Sequence, residues 1–471
     1  MEEKYIQELC KLIEIPSVFS EEAVEGGPFG QEVKAALEEV LDFGERLGFT
    51  VKNYDGYAGE LTMGTGTYMI GVLCHIDVVS AGPGWTKEPF SAVLEGEKLY
   101  GRGSSDDKGP LMAALSAISR LAKNGEIPED VSIRVIIGTN EEEAWEGIHY
   151  YLDKVDSLPE VSFVPDGVFP VIFCEKGLLD LDLKVQAQVN PDAEVKLLGL
   201  WGGEGRNVVA PGASAKLKCE KDGQEVCRAL EKAAAQNGFE VKTERAKTEQ
   251  AEEEVMVTVE GKSAHAMTPE KGINAISRLI AVLCEGLGDR FSHSDFAAGY
   301  MNVIGHDIHG EAGGFCFSDE ESGMLTFNVG TVTFDEEGIC LQANARYPAS
   351  LEHDFVLGAI RTGLGGGGLL VEETDYLPPV SFKTDSPLIE TLMEAYREVT
   401  CDMASKPVSM GGATYARAIP NAVSFGALFP DEEELAHGPD EYVSLESLEK
   451  AENIYYTALQ KLIDRRMLHE K

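Results

Sequence analysis

The chain has 471 residues, with 40 Lys and Arg against 81 Asp and Glu, a formal net charge of −41. That length allows two or three domains around large cores, and that charge repels phosphate backbones and anionic lipid, which argues against nucleic-acid or membrane partners. There is no unbroken apolar run of 18 residues and no basic leader ahead of an apolar stretch, and the nine cysteines are scattered, odd in number and without a CxxC, so reduced thiols in a cytoplasmic protein are expected. The acidic runs Glu252-Glu253-Glu254 and Asp431-Glu432-Glu433-Glu434 read as solvated surface.

In chain order, helical spacing of apolar residues covers 5–12 and 31–47, the second stopping at Gly48. Strand patterns follow at 49–54 and 60–63, then a nearly continuous apolar run at 68–74 that fits a buried central strand. A loop with Pro83-Gly84-Trp85 leads to a short extended piece at 98–102. A helix is predicted over 108–124, ended by Gly125, then a buried strand at 131–138, a helix at 146–152 and a strand at 161–164. Alternating strands and helices from about residue 50 to 170 define an α/β fold with a mixed, largely parallel sheet sandwiched by helices.

The texture changes near Gly177. Residues 178–189 alternate apolar with polar, and strand patterns recur at 213–219, 254–260, 324–333 and 339–346, with helices at 224–237, 272–287 and 351–362. This describes an inserted α+β lid domain with antiparallel sheet and helices on one face, long enough for two subdomains. The run Gly363-Leu364-Gly365-Gly366-Gly367-Gly368 reads as a flexible loop. From about Thr384 the α/β texture returns, with a helix at 386–400, a Gly-rich turn after 407–413, a strand at 422–425 and a terminal helix at 444–468. The expected organisation is a catalytic domain in two parts, 1–178 and 384–471, closed around a lid at 179–383.

Chemistry concentrates where strand patterns end. His75 and Asp77 follow the 68–74 strand, two apart, so their side chains share a face and one can bind a metal while the other orients it. Asp106-Asp107, Glu141-Glu142 and Asp166 come just after further strand patterns, and His437 follows another strand and loop. Taken singly, a histidine is more often a hydrogen-bonded structural residue, the reading for His149, His293, His306, His309, His353 and His469; Glu141-Glu142 would favour a helix N-terminus, and Asp106-Asp107 an N-cap. Their coincidence at one edge of one sheet, where open α/β sheets bind ligands, shifts the reading to a metal centre. Two histidines with several carboxylates suit Zn²⁺, and also Mn²⁺ or Co²⁺.

These residues also carry a family resemblance. Residues 71–79 with Gly84-Trp85, Gly101-Arg102-Gly103-Ser104-Ser105-Asp106-Asp107-Lys108-Gly109, Thr139-Asn140-Glu141-Glu142, Pro165-Asp166 and Gly261-Lys262-Ser263-Ala264-His265 resemble the dinuclear zinc peptidases of the aminoacylase and carboxypeptidase clan. Pro110 after that run, Trp145-Glu146-Gly147-Ile148, Tyr150-Tyr151-Leu152 and Gly411-Gly412-Ala413-Thr414-Tyr415-Ala416-Arg417 resemble its dipeptidase V branch, and the order of motifs agrees along essentially the whole chain. The resemblance implies two divalent ions, Zn²⁺ first, with His75 and Asp166 on one, Glu142 and His437 on the other, and Asp106 bridging. It implies that Asp77 orients His75, that Glu141 is the general base, that His265 from the lid polarises the carbonyl oxygen, and that one or more of Asn207, Arg346 and Arg417 bind the substrate carboxylate. It further implies a cis peptide between Asp106 and Asp107, and a monomer, with a dimer as the alternative.

Some positions depart from the pattern. Cys74 replaces the small residue usual before the histidine, which a buried thiol would explain. Asn344-Ala345-Arg346 lacks the acidic residue usual before that arginine. Phe315-Cys316-Phe317 and the loop 310–323 are expected to shape the substrate pocket. The reading is a metal-dependent dipeptidase acting on short peptides with free termini; the alternatives are an N-acyl-amino-acid amidohydrolase of the same clan and a non-catalytic metal- or peptide-binding protein.

Overall fold

The computed structural model describes residues 1–186, 188–220, 222–247 and 253–466. Glu252, the last residues expected in the terminal helix and His469 lie outside them. The chain forms two compact units: Met1–Phe173 with Phe382–Ser409 and Ala413–Lys471, and Cys174–Ser381 with Met410–Gly412.

The first unit is built on a mixed sheet. Its strands run in the order Thr50–Tyr54, Ala58–Gly64, Val131–Gly138, Tyr68–His75, Val161–Val164 and Ala422–Ser424, with Ile172 beyond. Val131–Gly138, Tyr68–His75, Val161–Val164 and Ala422–Ser424 are mutually parallel, while the strands outside them pair antiparallel. The parallel strands are buried along nearly their whole length, as a sheet centre covered on both faces requires. The helix Lys108–Asn124 is buried on almost every side; Glu3–Glu14 and Leu445–Arg465 pack against it. Gly48 and Gly125 end their helices in the left-handed conformation, φ 94° and 69°, which a residue without Cβ adopts at little cost.

The second unit is built on an eight-stranded antiparallel sheet in the order Lys242–Lys247, Glu253–Glu260, Gly212–Cys219, Val195–Gly202, Thr326–Asp335, Gly338–Tyr347, Gly177–Val185, Leu369–Leu377. Among the described residues its two four-stranded halves pair through Trp201↔Thr333 and Gly202↔Val332. Leu179, Leu181 and Leu183, like Val255, Val257 and Val259, are buried at alternate positions and share one core with residues of the helices Gly223–Gln236, Ala275–Leu287, Ser294–Val303 and His353–Gly365. Strand Lys242–Lys247 is exposed at the sheet edge, so its sequence carries no apolar alternation to betray it.

The glycine run is not a flexible loop. The helix continues through Gly365, and the run packs at contact distance: a Cβ on Gly363 would lie 2.0 Å from the Gly313 carbonyl oxygen, and one on Gly367 would lie 2.6 Å from Val303 Cγ2. Absence of side chains permits this approach of backbone to backbone. Gly365 faces open space, with nothing within 4 Å of a Cβ. Gly363→Ala is therefore expected to lower stability by about 1–3 kcal/mol through overpacking, and Gly365→Ala to leave it unchanged or raise it by about 0.4–1 kcal/mol through reduced freedom of the unfolded chain; urea denaturation of the two variants measures the difference.

Candidate active site

Parallel strands bring their C-terminal ends to one edge. His75 closes its strand opposite Gly138, which leads directly into Thr139-Asn140-Glu141-Glu142. On the other side Val72 pairs with Phe163, and continuing that register sets Asp166 alongside His75. Asp106 enters from the turn ahead of Lys108–Asn124, and His437 from the turn ahead of the short strand Tyr442–Ser444, which pairs with Lys98–Tyr100. The peptide between Asp106 and Asp107 is cis.

Asp106 is the centre of the cluster. Its Oδ1 is 2.9 Å from His75 Nε2 and its Oδ2 is 3.2 Å from His437 Nε2. Asp166 Oδ2 lies 3.8 Å from His75 Nε2, and the Glu142 oxygens lie 3.1 and 3.0 Å from His437 Nε2. Two groups result, His75–Asp106–Asp166 and Asp106–Glu142–His437, the donor atoms in each within 4.8 Å of one another. His75 Nδ1 donates to the Asp77 carbonyl oxygen at 2.9 Å. A carbonyl only accepts, so Nδ1 carries a proton, and Nε2 is the nitrogen turned towards the carboxylates. The Asp77 carboxylate is 3.5 Å from the same nitrogen and accepts the Glu142 N–H at 3.1 Å. Its orienting contact to His75 is thus made through the main chain, and its side chain braces the Glu142 turn.

The helix-terminus explanations for the acidic pairs do not hold. Asp107 precedes the helix but makes no capping bond; its carboxylate accepts the His75 N–H at 3.1 Å. Glu141 and Glu142 lie in a turn before the helix that begins at Glu146. That turn is held by Trp145, whose Nε1 donates to the Glu141 carbonyl at 2.7 Å and whose ring meets Tyr415 at 5.2 Å. Tyr415 in turn sits where a Cβ on Gly138 would fall, 2.1 Å from its hydroxyl. From the sequence Asp107 reads as a capping residue, and Trp145 and Tyr415 enter only as parts of motifs that carry the resemblance; the bracing each provides is seen in the structure.

The electrostatics describe a site short of positive charge. Burial, and then the charge of Asp106, pushes the Asp166 carboxyl well above the usual range. Burial, and then Asp166, does the same to Glu141, whose Oε1 is buried without a hydrogen-bond partner. Burial opposes charge on both imidazoles, yet Asp106 with Asp77 holds His75 well above its ordinary value, and Glu142 with Asp106 does so for His437. Nearby cations are committed elsewhere: Lys108 Nζ donates to the Leu12 and Ile15 carbonyls, and Arg102 pairs with Glu441. Two imidazoles whose Nε2 atoms face carboxylates, one carboxylate shared between them and an unpartnered Glu141 oxygen fit a pair of divalent cations. Cys74, directly before His75, is fully buried and its thiol is pushed well up by burial, so it is a packed neutral side chain.

Other expected site residues lie in the second unit. His265 pairs with Val208, and the Asn207 carbonyl accepts the Ala266 N–H at 2.8 Å, so Asn207 and His265 are neighbours. His265 Nδ1 accepts the Met267 N–H at 3.2 Å, which puts the proton of the neutral ring on Nε2. Arg346 is buried; its Nε donates to Asn344 Oδ1 at 2.9 Å and its Nη1 to the Gly411 carbonyl at 2.5 Å. Asn344 itself donates to Asp180 at 2.7 Å, so the missing acid beside this arginine has a counterpart one strand away. Arg417, in the first unit, ends the short turn Tyr415–Arg417. Phe315 does not shape a pocket: it is fully buried against Phe327 in the core of the second unit.

An α/β unit that presents two carboxylate–imidazole groups sharing one aspartate is the scaffold of a metallohydrolase. Residues 71–461 match the model of the peptidase family M20/M25/M40. The chain is 35% identical over 470 residues to "Putative dipeptidase YtjP" of Bacillus subtilis (strain 168), covering 98% of this chain and 97% of that one. It is 32% identical over 466 residues to "Putative dipeptidase SAB1611c" of Staphylococcus aureus (strain bovine RF122 / ET3-1), with 98% and 97% covered. The solved structure of human carnosine dipeptidase 1 has the same fold, with a TM-score of 0.58 at 16% identity over 98% of this chain and 96% of that one. The chain belongs to peptidase family M20/M25/M40, and it is a metallopeptidase, a hydrolase acting on peptide bonds. Among the described residues no helix is long and apolar enough to cross a membrane.

Divalent ions are expected to stabilise the folded chain through this cluster. In chelator-stripped protein, Zn²⁺ or Mn²⁺ at about 100 times its Kd adds about 2.7 kcal/mol, read as a rise in Tm by differential scanning fluorimetry. Asp106→Asn, which weakens both groups at once, is expected to remove most of that rise.

Proposed function

We propose that this enzyme is a dipeptidase that hydrolyses short peptides with a free amino terminus and a free carboxylate, using two divalent ions, Zn²⁺ or in its place Mn²⁺ or Co²⁺. The observation that carries the reading is Asp106, each of whose oxygens meets a different imidazole. In this reading His75 and Asp166 hold one ion, Glu142 and His437 the other, and Asp106 both. When bound, such a pair supplies positive charge that polarises a carbonyl and lowers the pKa of water. Glu141 is the base. Its buried carboxylate takes a proton from the attacking water as the oxygen adds to the scissile carbonyl carbon, and passes it to the leaving amine nitrogen as the C–N bond breaks.

His265, with its proton on Nε2, has the donor that a developing oxyanion needs. Arg346 and Arg417 have the planar fork suited to a substrate carboxylate, and Asn207 offers an amide beside His265. The segment 179–383 serves as the lid and 1–178 with 384–471 as the catalytic domain. A lid closing over the substrate would limit its length. In this reading the enzyme works as a monomer in the cytoplasm, a compartment that suits nine scattered cysteines without a CxxC.

The test is a panel of free dipeptides, β-alanyl dipeptides, tripeptides and N-acetyl amino acids, with elemental analysis of the same sample. Cleavage of dipeptides, abolished by a chelator and restored by Zn²⁺ or Mn²⁺, is the expected result. Preference for N-acetyl amino acids would make the enzyme an amidohydrolase, and two bound ions with no turnover would make it a binding protein. Glu141→Gln is expected to keep its metal content and lose roughly 10²–10⁴-fold in kcat; retained turnover would remove Glu141 from the reaction.

A further inference from the structure

We infer that the buried Arg102–Glu441 pair is a positioning device that fixes Asp106 and His437 relative to one another, and so sets the affinity of the ion sites; the inference rests on the metal reading above. Neither side chain is exposed, at 1% and 0%. Glu441 Oε2 accepts from Arg102 Nη1 at 2.6 Å and from the Gly103 N–H at 3.1 Å. Its Oε1 accepts from the Ser105 N–H and hydroxyl, both at 2.9 Å, and from the Asp106 N–H at 3.3 Å. One carboxylate thus gathers the backbone of the loop that presents Asp106, including the peptide nitrogen of Asp106 itself.

The same pair reaches the other two site loops. Glu441 is four residues beyond His437, and its carbonyl accepts the Gly101 N–H at 2.9 Å. Arg102 Nη2 donates to the Ser80 and Ala81 carbonyls at 3.4 and 3.3 Å, in the loop that follows His75 and Asp77, and the guanidinium lies 5.3 Å from the Trp85 ring. The adjacent Asp440 secures that loop again, accepting from Thr86 N and Oγ1 at 2.8 Å. Three loops, far apart in sequence, are therefore tied at one buried point behind the donor atoms.

A buried ion pair is weak evidence of stability, since apolar side chains of the same volume often serve as well. What an apolar pair would not do is receive the N–H groups of Gly103, Ser105 and Asp106. Groups that hold metal ligands in this way typically change metal affinity about 10–100-fold when removed.

The experiment uses the full chain, stripped of metal, and measures Zn²⁺ affinity and stoichiometry by competition with a chromophoric chelator, with apo Tm, kcat and KM alongside. Glu441→Gln keeps the shape but turns an amide donor towards donors. It is expected to bind at least one ion about 10–100-fold more weakly, with kcat depressed at limiting Zn²⁺, KM little changed, and kcat recovering as Zn²⁺ is raised. Arg102→Lys keeps the charge without the fork and is expected to show the same loss in smaller measure. If Glu441→Gln does not fold, Ser105→Ala, which removes one contact without stranding a charge, is expected to weaken binding several-fold. A folded variant with lowered apo Tm and wild-type Zn²⁺ affinity would overturn the inference, because the pair would then be structural only. Wild-type protein that binds no ion would overturn the metal reading itself, a result seen before any variant is compared.

Discussion

Carboxylates held close together repel one another, and burial strengthens the repulsion because it removes the water that screens them. The first unit of this protein is arranged around such a cluster. Asp166, Glu142 and Glu141, beyond the ends of parallel strands, converge with Asp106, from the turn ahead of Lys108–Asn124, and with two imidazoles, and burial and mutual charge raise the carboxyls of Asp166 and Glu141. A fold that maintains this geometry must brace it from behind, and the bracing can be traced. Asp107 holds the His75 backbone, Asp77 holds His75 Nδ1 and the Glu142 N–H, Trp145 holds the Glu141 carbonyl, and Glu441 holds the Asp106 loop.

The discontinuity of the unit follows from the same demand. Strand-end residues within one α/β stretch supply His75, Glu142 and Asp166, but His437 comes from nearly three hundred residues further on, so its loop has to be fastened to the others. Pairing of Tyr442, Val443 and Ser444 with Tyr100, Leu99 and Lys98 fastens it to the strand that leads into Asp106, and Glu441 completes the attachment. The long helix Leu445–Arg465 then packs on Lys108–Asn124, so one continuous segment both delivers a donor and closes the core.

Much of this was legible in the sequence, for identifiable reasons. The helices 31–47 and 108–124 show as 3.6-residue periodicity ended by Gly48 and Gly125, and the strand 131–138 as a continuous apolar run; all three have the expected bounds. His75, Asp106, Glu142, Asp166 and His437 are brought together because each follows a strand or a turn whose register is set by burial. Glu441 was not legible, because a glutamate four residues past a histidine, near an acidic run, resembles any surface acid. The signal was Arg102, a charged side chain between two glycines in a buried motif, which requires a carboxylate partner that sequence alone does not locate. The edge strand Lys242–Lys247 is not legible because it buries little, and the glycine run is misread as a loop because close backbone packing and flexibility draw on the same residue.

Whether Asp106 is shared between two ions decides the assignment of every other donor. Crystals of the enzyme grown with Zn²⁺, with anomalous data collected on both sides of the zinc edge, test this directly. The expected map has two zinc peaks flanking the Asp106 carboxylate, one reached by His75 and Asp166 and the other by Glu142 and His437, separated by roughly 3.5–4 Å. A single peak, or peaks away from Asp106, would contradict the shared site and the assignment of donors that depends on it.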